Sequence, residues 1–118
     1  MDEMLNKYRA YLSAMRMELT KRIEKLEQEQ RHDEANLCKV RLNIVQIFDT
    51  LCFVDGKAAS TWADFCSRHL PRFQIIPAPW KARLETARMH DDLSVQIIEE
   101  AKLETASKIE QFLTAIKE

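Results

Sequence analysis

Three short constellations hold residue types that do chemistry. Glu29-Gln30-Arg31-His32 is a Glu-x-x-His. Helices of di-iron bundles use that spacing to aim a carboxylate and an imidazole at one metal, and such a centre needs two of these pairs plus two further inward glutamates. The other histidines, His69 and His90, are preceded three residues earlier by Cys66 and Ala87. Half of the set is therefore missing from one chain, and a metal held by Glu29 and His32 would require a symmetric second copy.

Cys66-Ser67-Arg68-His69 sets a thiol and an imidazole on one helical face. With Cys52 a three-ligand zinc site can be drawn, and a thiol nucleophile activated by His69 is the alternative. Structural zinc sites show ligands in close pairs, of which there is one here, and no oxyanion hole is legible for the nucleophile. The expectation is a buried thiol beside a boundary histidine, with no cofactor. His90-Asp91-Asp92 offers a base or a cation ligand. It reads better as a solvated turn or as a helix break with an aspartate cap.

Trp62 and Trp80 lie near Arg68, Arg72, Lys81 and Arg83 in sequence. Aromatics that stack bases among cations that hold phosphates suit single-stranded nucleic acid. Asp64 and Glu85 dilute the charge and no binding motif is present, so the tryptophans are expected to anchor a core and nucleic acid is not the expected partner.

The elements that must position these groups follow from one scarcity. The chain has a single glycine, Gly56, in 118 residues, where average usage gives about eight. Hairpins, phosphate loops and nucleophile elbows depend on glycine for positive φ or close backbone approach. With only three prolines as well, little punctuates the chain except helix ends. The expected fold is all-α, one domain over residues 1–118.

Hydrophobic residues make up 46% and charged residues 31%, enough for a core and a solvated exterior. A net charge of −1 gives no electrostatic case for nucleic acid or an anionic membrane. No apolar run nears the ~18 residues of a spanning helix. The acidic start, Met-Asp-Glu-Met, lacks the basic and then apolar pattern of a secretory signal. Cys38, Cys52 and Cys66 are odd in number and widely spaced, as reduced thiols are. A cytoplasmic location is expected.

Leu5, Tyr8, Leu12, Met15, Leu19, Ile23 and Leu26 step by three or four along a first helix over about residues 2 to 31. Glu18 with Arg22 and Glu27 with Arg31 are spaced for i,i+4 ion pairs on its solvated face. Leu37, Val40, Ile44, Ile47, Leu51 and Val54 form a heptad seam on a second helix over about 33 to 54, widened by Val45, Phe48 and Cys52. A break is expected near 31–33, with Gly56 in a left-handed cap at the far end.

Thr61 and Asp64 resemble a capping box opening a short third helix that Pro71 stops. Residues 71–78 read as an apolar loop, with Phe73, Ile75 and Ile76 packed inward. From Pro79 to about 117 one long helix, kinked or straight, is favoured over a break at His90-Asp91-Asp92. Unbroken it would run about 58 Å at 1.5 Å per residue, too far for a domain whose expected radius of gyration is about 13 to 14 Å.

The architecture is thus a bundle of three long helices plus one short one. The expected role is non-catalytic: assembly or regulation through helix contacts, as a homodimer or with another helical protein, away from membranes. Interface candidates are Leu37, Val40, Ile44, Ile47, Leu51, Ile98, Ile109, Phe112 and Ile116. The rival classes are a metal- or thiol-dependent enzyme with its site across a dimer, and a nucleic-acid accessory protein.

Overall fold

Chain reversal without glycine is the first thing the structure explains. The computed structural model describes residues 1–116. Helix α1 (Asp2–Gln28) ends at Glu29, after which Gln30 takes φ 60°. The Gln30 amide donates to Glu27 O at 3.0 Å and the Arg31 amide to Leu26 O at 2.9 Å. These are the two bonds of a Schellman cap, here built on a glutamine. The chain then turns into α2 (His32–Ala58), which runs back antiparallel: Lys39 pairs with Glu27, and Arg16 with Asp49 at 3.2 Å. The same device recurs at Asp91, with φ 52°. Its amide donates to Arg88 O at 3.3 Å, and the Asp92 amide donates to Ala87 O at 2.9 Å.

The one glycine does something else. Gly56 is not a left-handed cap, because α2 continues through it to Ala58 and no glycine has positive φ. It is buried, and a Cβ placed there would lie 3.2 Å from Leu5 Cδ2. Glycine serves here as a small residue that lets the start of α1 close on the end of α2.

Thr61 caps α3 (Trp62–His69) by accepting from the Asp64 amide at 3.0 Å. The Asp64 carboxylate in turn accepts from the Ser60 amide at 3.2 Å. Residues 71–78 are not a loop. Helical dihedrals persist through Leu70, Pro71, Ile76 and Pro77, so α3, α4 (Arg72–Ile75) and α5 (Ala78–Met89) form one bent helical segment over 62–89. Proline fixes φ at a helical value and merely removes one donor, so each bends the rod without ending it. Phe73 is buried and Ile76 half-buried, but Ile75 points outward at 70% exposure.

The long helix expected from 79 to about 117 is broken at His90–Asp92, and Lys117 lies outside the described residues. The stripe of α5 ends where α6 (Leu93–Ala115) begins a new one, and the cap at Asp91 folds α5 back along α6. Arg83 reaches Glu99 at 2.9 Å and Gln96 donates to Ala87 O at 3.3 Å. The all-α class stands, with three long helices plus the bent segment and no strand among the described residues.

The main core gathers Tyr8, Leu12, Val45, Phe48, Phe65, Phe73, Ile109 and Leu113 from five helices. A satellite cluster of Ile23, Leu26, Ala35 and Cys38 closes the far end of the α1/α2 hairpin. The molecule measures 45 × 35 × 21 Å with a radius of gyration of 15.7 Å. A thickness of 21 Å is two helix diameters, since one helix with side chains is about 10–12 Å across. No helix of the described residues is long and apolar enough to cross a membrane.

Candidate functional site

A chain of polar groups from four helices forms a relay through the core. His69 comes from α3, Asp55 from the end of α2, Arg72 from α4 and Tyr8 from α1. Arg72 clamps Asp55 with both arms, Nε to Oδ2 at 2.7 Å and Nη2 to Oδ1 at 2.7 Å. Those bonds hold the Asp55 carboxyl below its usual range, with His69 adding to them. An ionised carboxylate only accepts, so His69 Nδ1 donates to Asp55 Oδ2 across 2.8 Å. That assignment leaves a lone pair on Nε2, and the Tyr8 hydroxyl donates to it at 2.7 Å.

Burial pushes the His69 pKa down, which favours the neutral ring this assignment requires. Burial also pushes the Tyr8 phenol far above its ordinary value. The imidazole stacks near-parallel on Phe65 at 5.0 Å and meets Phe48, Phe73 and Tyr8 edge-on. Neutral, aromatic-boxed and tautomer-locked, His69 is held as a structural pin.

A Tyr-His-Asp chain has the polarity of a catalytic relay, but Tyr8 and His69 are both 0% exposed. A substrate would have no place to stand against the phenol, and the relay's accessible end is the half-buried Arg72.

The sequence-predicted site residues are placed apart. The cap at Gln30 separates Glu29 from His32, so the Glu-x-x-His does not lie on one helix; both side chains are exposed, and Glu29 pairs with Arg31 at 3.0 Å. His69 spends both ring nitrogens on Asp55 and Tyr8. Cys66 is half-buried, and Cys52 is buried with its thiol pKa pushed up to about 11 by that burial. Among the described residues the cysteines form no disulfide, and no three His, Cys, Asp or Glu side chains are grouped to hold a metal ion.

The three arginines of the suspected nucleic-acid surface are turned onto carboxylates, Arg68 on Asp64, Arg72 on Asp55 and Arg83 on Glu99, and Lys81 makes no ion pair among the described residues. Trp62 is buried and Trp80 half-buried beneath the Lys102 ammonium.

Beside the exposed Phe53 and Val54 of α2 and Ile75 of α4, two open surfaces are larger in extent. One is a groove of about 420 Å³ where the α1/α2 hairpin and α6 diverge. Met15, Leu19, Leu26 and Leu37 give it apolar lining, and Glu18, Arg22, Glu34, Arg41, Glu104 and Lys108 supply charge. The other is an apolar strip at the α5/α6 turn: Met89 is 80% exposed, Leu93 68%, Ile97 55% and Ile98 38%.

Among the interface candidates, Ile44 and Ile109 are buried in the main core, while Leu37, Val40, Ile47, Leu51, Phe112 and Ile116 are half-buried. Phe112 stacks on Tyr11 at 4.0 Å. Ile98 is the most exposed of the set. The most buried line of α2 runs through Ala35, Cys38, Val45, Phe48, Cys52 and Asp55, one step round from the heptad seam. Asp55 falls in register with that line, three residues after Cys52, and a carboxylate at a core position was the legible sign of the relay. Nothing local marked Tyr8 or Arg72 as its partners.

No protein-family model matches the chain, and no curated protein or solved structure is significantly similar to it.

Proposed function

We propose that this chain is a non-catalytic assembly module of the cytoplasm, acting by docking helix faces against another helical surface. The observation that supports this reading is the exposed apolar strip of Met89, Leu93, Ile97 and Ile98. Single exposed apolar residues are ordinary, whereas four grouped at one helical turn mark an interaction surface. The chemically capable groups lie elsewhere: Tyr8, His69 and Asp55 are sealed in the core, and the arginines near the tryptophans are engaged by carboxylates. Three cysteines without a disulfide suit a reducing compartment.

Amine cross-linking in the native host, followed by isolation and peptide mapping, tests the reading. The expected result is links from Lys108 and Lys81 to a helical partner, lost in a Leu93→Asp/Ile97→Asp variant. Recovery of the chain with no linked partner, or with links that the double variant retains, overturns it.

A further inference from the structure

We propose that the occupant of the groove is the α5/α6 turn of a second copy, exchanged across a two-fold axis near Ile97 and Ile98. This rests on the helix-docking reading above and names its partner.

The first argument is register. Leu93, Ile97, Glu104 and Lys108 are spaced by four, seven and four residues, which puts them on one face of α6. The apolar strip and the α6 wall of the groove are therefore one continuous surface. The turn at Asp91 and the groove wall at Glu104 are about 20 Å apart at 1.5 Å per residue. Midway between them sit Ile97 and Ile98, both exposed. Two α6 helices packed antiparallel about that midpoint bring each turn to the other copy's groove in a single closed interface.

The second argument is area. The accessible surface is 7437 Å², against about 6,700 Å² for a typical monomer of this mass. The excess is of the order one partner contributes to a standard interface, about 800 Å². The third is charge. Among the described residues Arg22 and Glu18 in the groove make no ion pair, and neither does Asp91 at the turn. The exchange brings Asp91 of one copy to Glu104 of the other, whose charge Arg41 and Lys108 already offset, with the unpaired Arg22 across the same groove. Apolar contact then supplies affinity and the polar pairs supply register.

Light scattering coupled to size-exclusion chromatography tests this on the full chain over a wide concentration range. The expected mass is twice 13.9 kDa for the wild type and 13.9 kDa for Ile97→Glu, with the helical circular dichroism of the two unchanged. Asp91→Arg is expected to weaken the dimer, and Arg22→Asp in the same chain to restore it. A wild-type monomer at every concentration overturns the second-copy occupant, leaving helix docking to its own cross-linking test. A dimer that survives Ile97→Glu, or a charge swap that fails to restore association, overturns the exchanged register.

Discussion

The Tyr8 hydroxyl sits 2.7 Å from His69 Nε2 although 61 residues separate them in the chain. That contact closes a relay whose other links are His69 to Asp55 and Asp55 to Arg72. It ties α1, α2, α3 and α4 together through one imidazole. Each buried polar atom in it has a partner, so the relay rigidifies the core without an unsatisfied group.

Removing one link strands the next. Tyr8→Phe leaves His69 Nε2 buried without a donor and is expected to cost about 1–2 kcal/mol. Arg72→Ala leaves the Asp55 carboxylate dependent on His69 alone. Because Arg72 is one-third exposed, its loss is expected to cost about 2–3 kcal/mol, less than a fully buried pair would. Urea unfolding followed by circular dichroism measures both. A Tyr8→Phe variant as stable as wild type contradicts the assigned donor.

Acid should weaken the fold in two stages. Burial lowers the pKa of His69 in the folded chain, so below the unfolded value of about 6.5 the unfolded state binds a proton that the folded state refuses. Stability from this group is complete above that value and declines as pH falls through it towards the folded pKa. Asp55, lowered chiefly by Arg72, contributes above about 3.9 and loses that contribution as pH falls further. Thermal melts from neutral to acidic pH are expected to show a falling Tm, and His69→Gln is expected to flatten the upper stage.

Gly56→Ala sets helix propensity against a tight contact. Alanine inside a helix gains about 0.5–1 kcal/mol over glycine. The new Cβ would meet Leu5 Cδ2 at 3.2 Å, and that methyl is the far end of a flexible side chain that can shift a few tenths of an ångström. A small net stabilisation is expected for alanine. Gly56→Leu should instead destabilise by about 1–3 kcal/mol, since the start of α1 would have to move. Equal stability for the two variants would show that the approach of α1 and α2 is not tight.

The two left-handed caps are the reverse case. Gln30 and Asp91 hold φ 60° and 52°, where a side chain costs about 1 kcal/mol. Gln30→Gly is expected to raise stability by about 0.5–1 kcal/mol, and Asp91→Gly by less, because aspartate tolerates this conformation better than glutamine. Thermal denaturation of the single variants settles the order.

Helix content was legible because the apolar stripes at Leu5–Leu26 and Leu37–Val54 step by three or four, and because Thr61 and Asp64 announce a cap. Three features were not. The reversals use glutamine and aspartate where glycine is the usual residue, so spacing alone favours an unbroken helix through Asp91 and assigns Gly56 a cap that it does not form. Pro71 and Pro77 signal termination locally, yet the backbone beyond them stays helical because Phe73 has a core to enter. Ion pairs within one helix were read from spacing, but Glu27 and Arg31 choose Lys39 and Glu34 instead. Tertiary approach decided each of these, and sequence spacing records it only faintly. At the relay, spacing sets His69 at the boundary beside a buried Cys66 thiol, whereas the structure buries His69 completely and leaves Cys66 half-buried, because Tyr8 and Asp55 come to the imidazole from two other helices.

The 61-residue span of the Tyr8–His69 bond also orders events during synthesis. Residues 1–58 leave the ribosome first, and as a hairpin they can fold back on themselves. Until α3 emerges, however, the Tyr8 phenol and the Asp55 carboxylate have no imidazole to join them. At about 5–20 residues per second, His69 follows Asp55 out of the ribosome by about one to three seconds, and for that interval the relay cannot close.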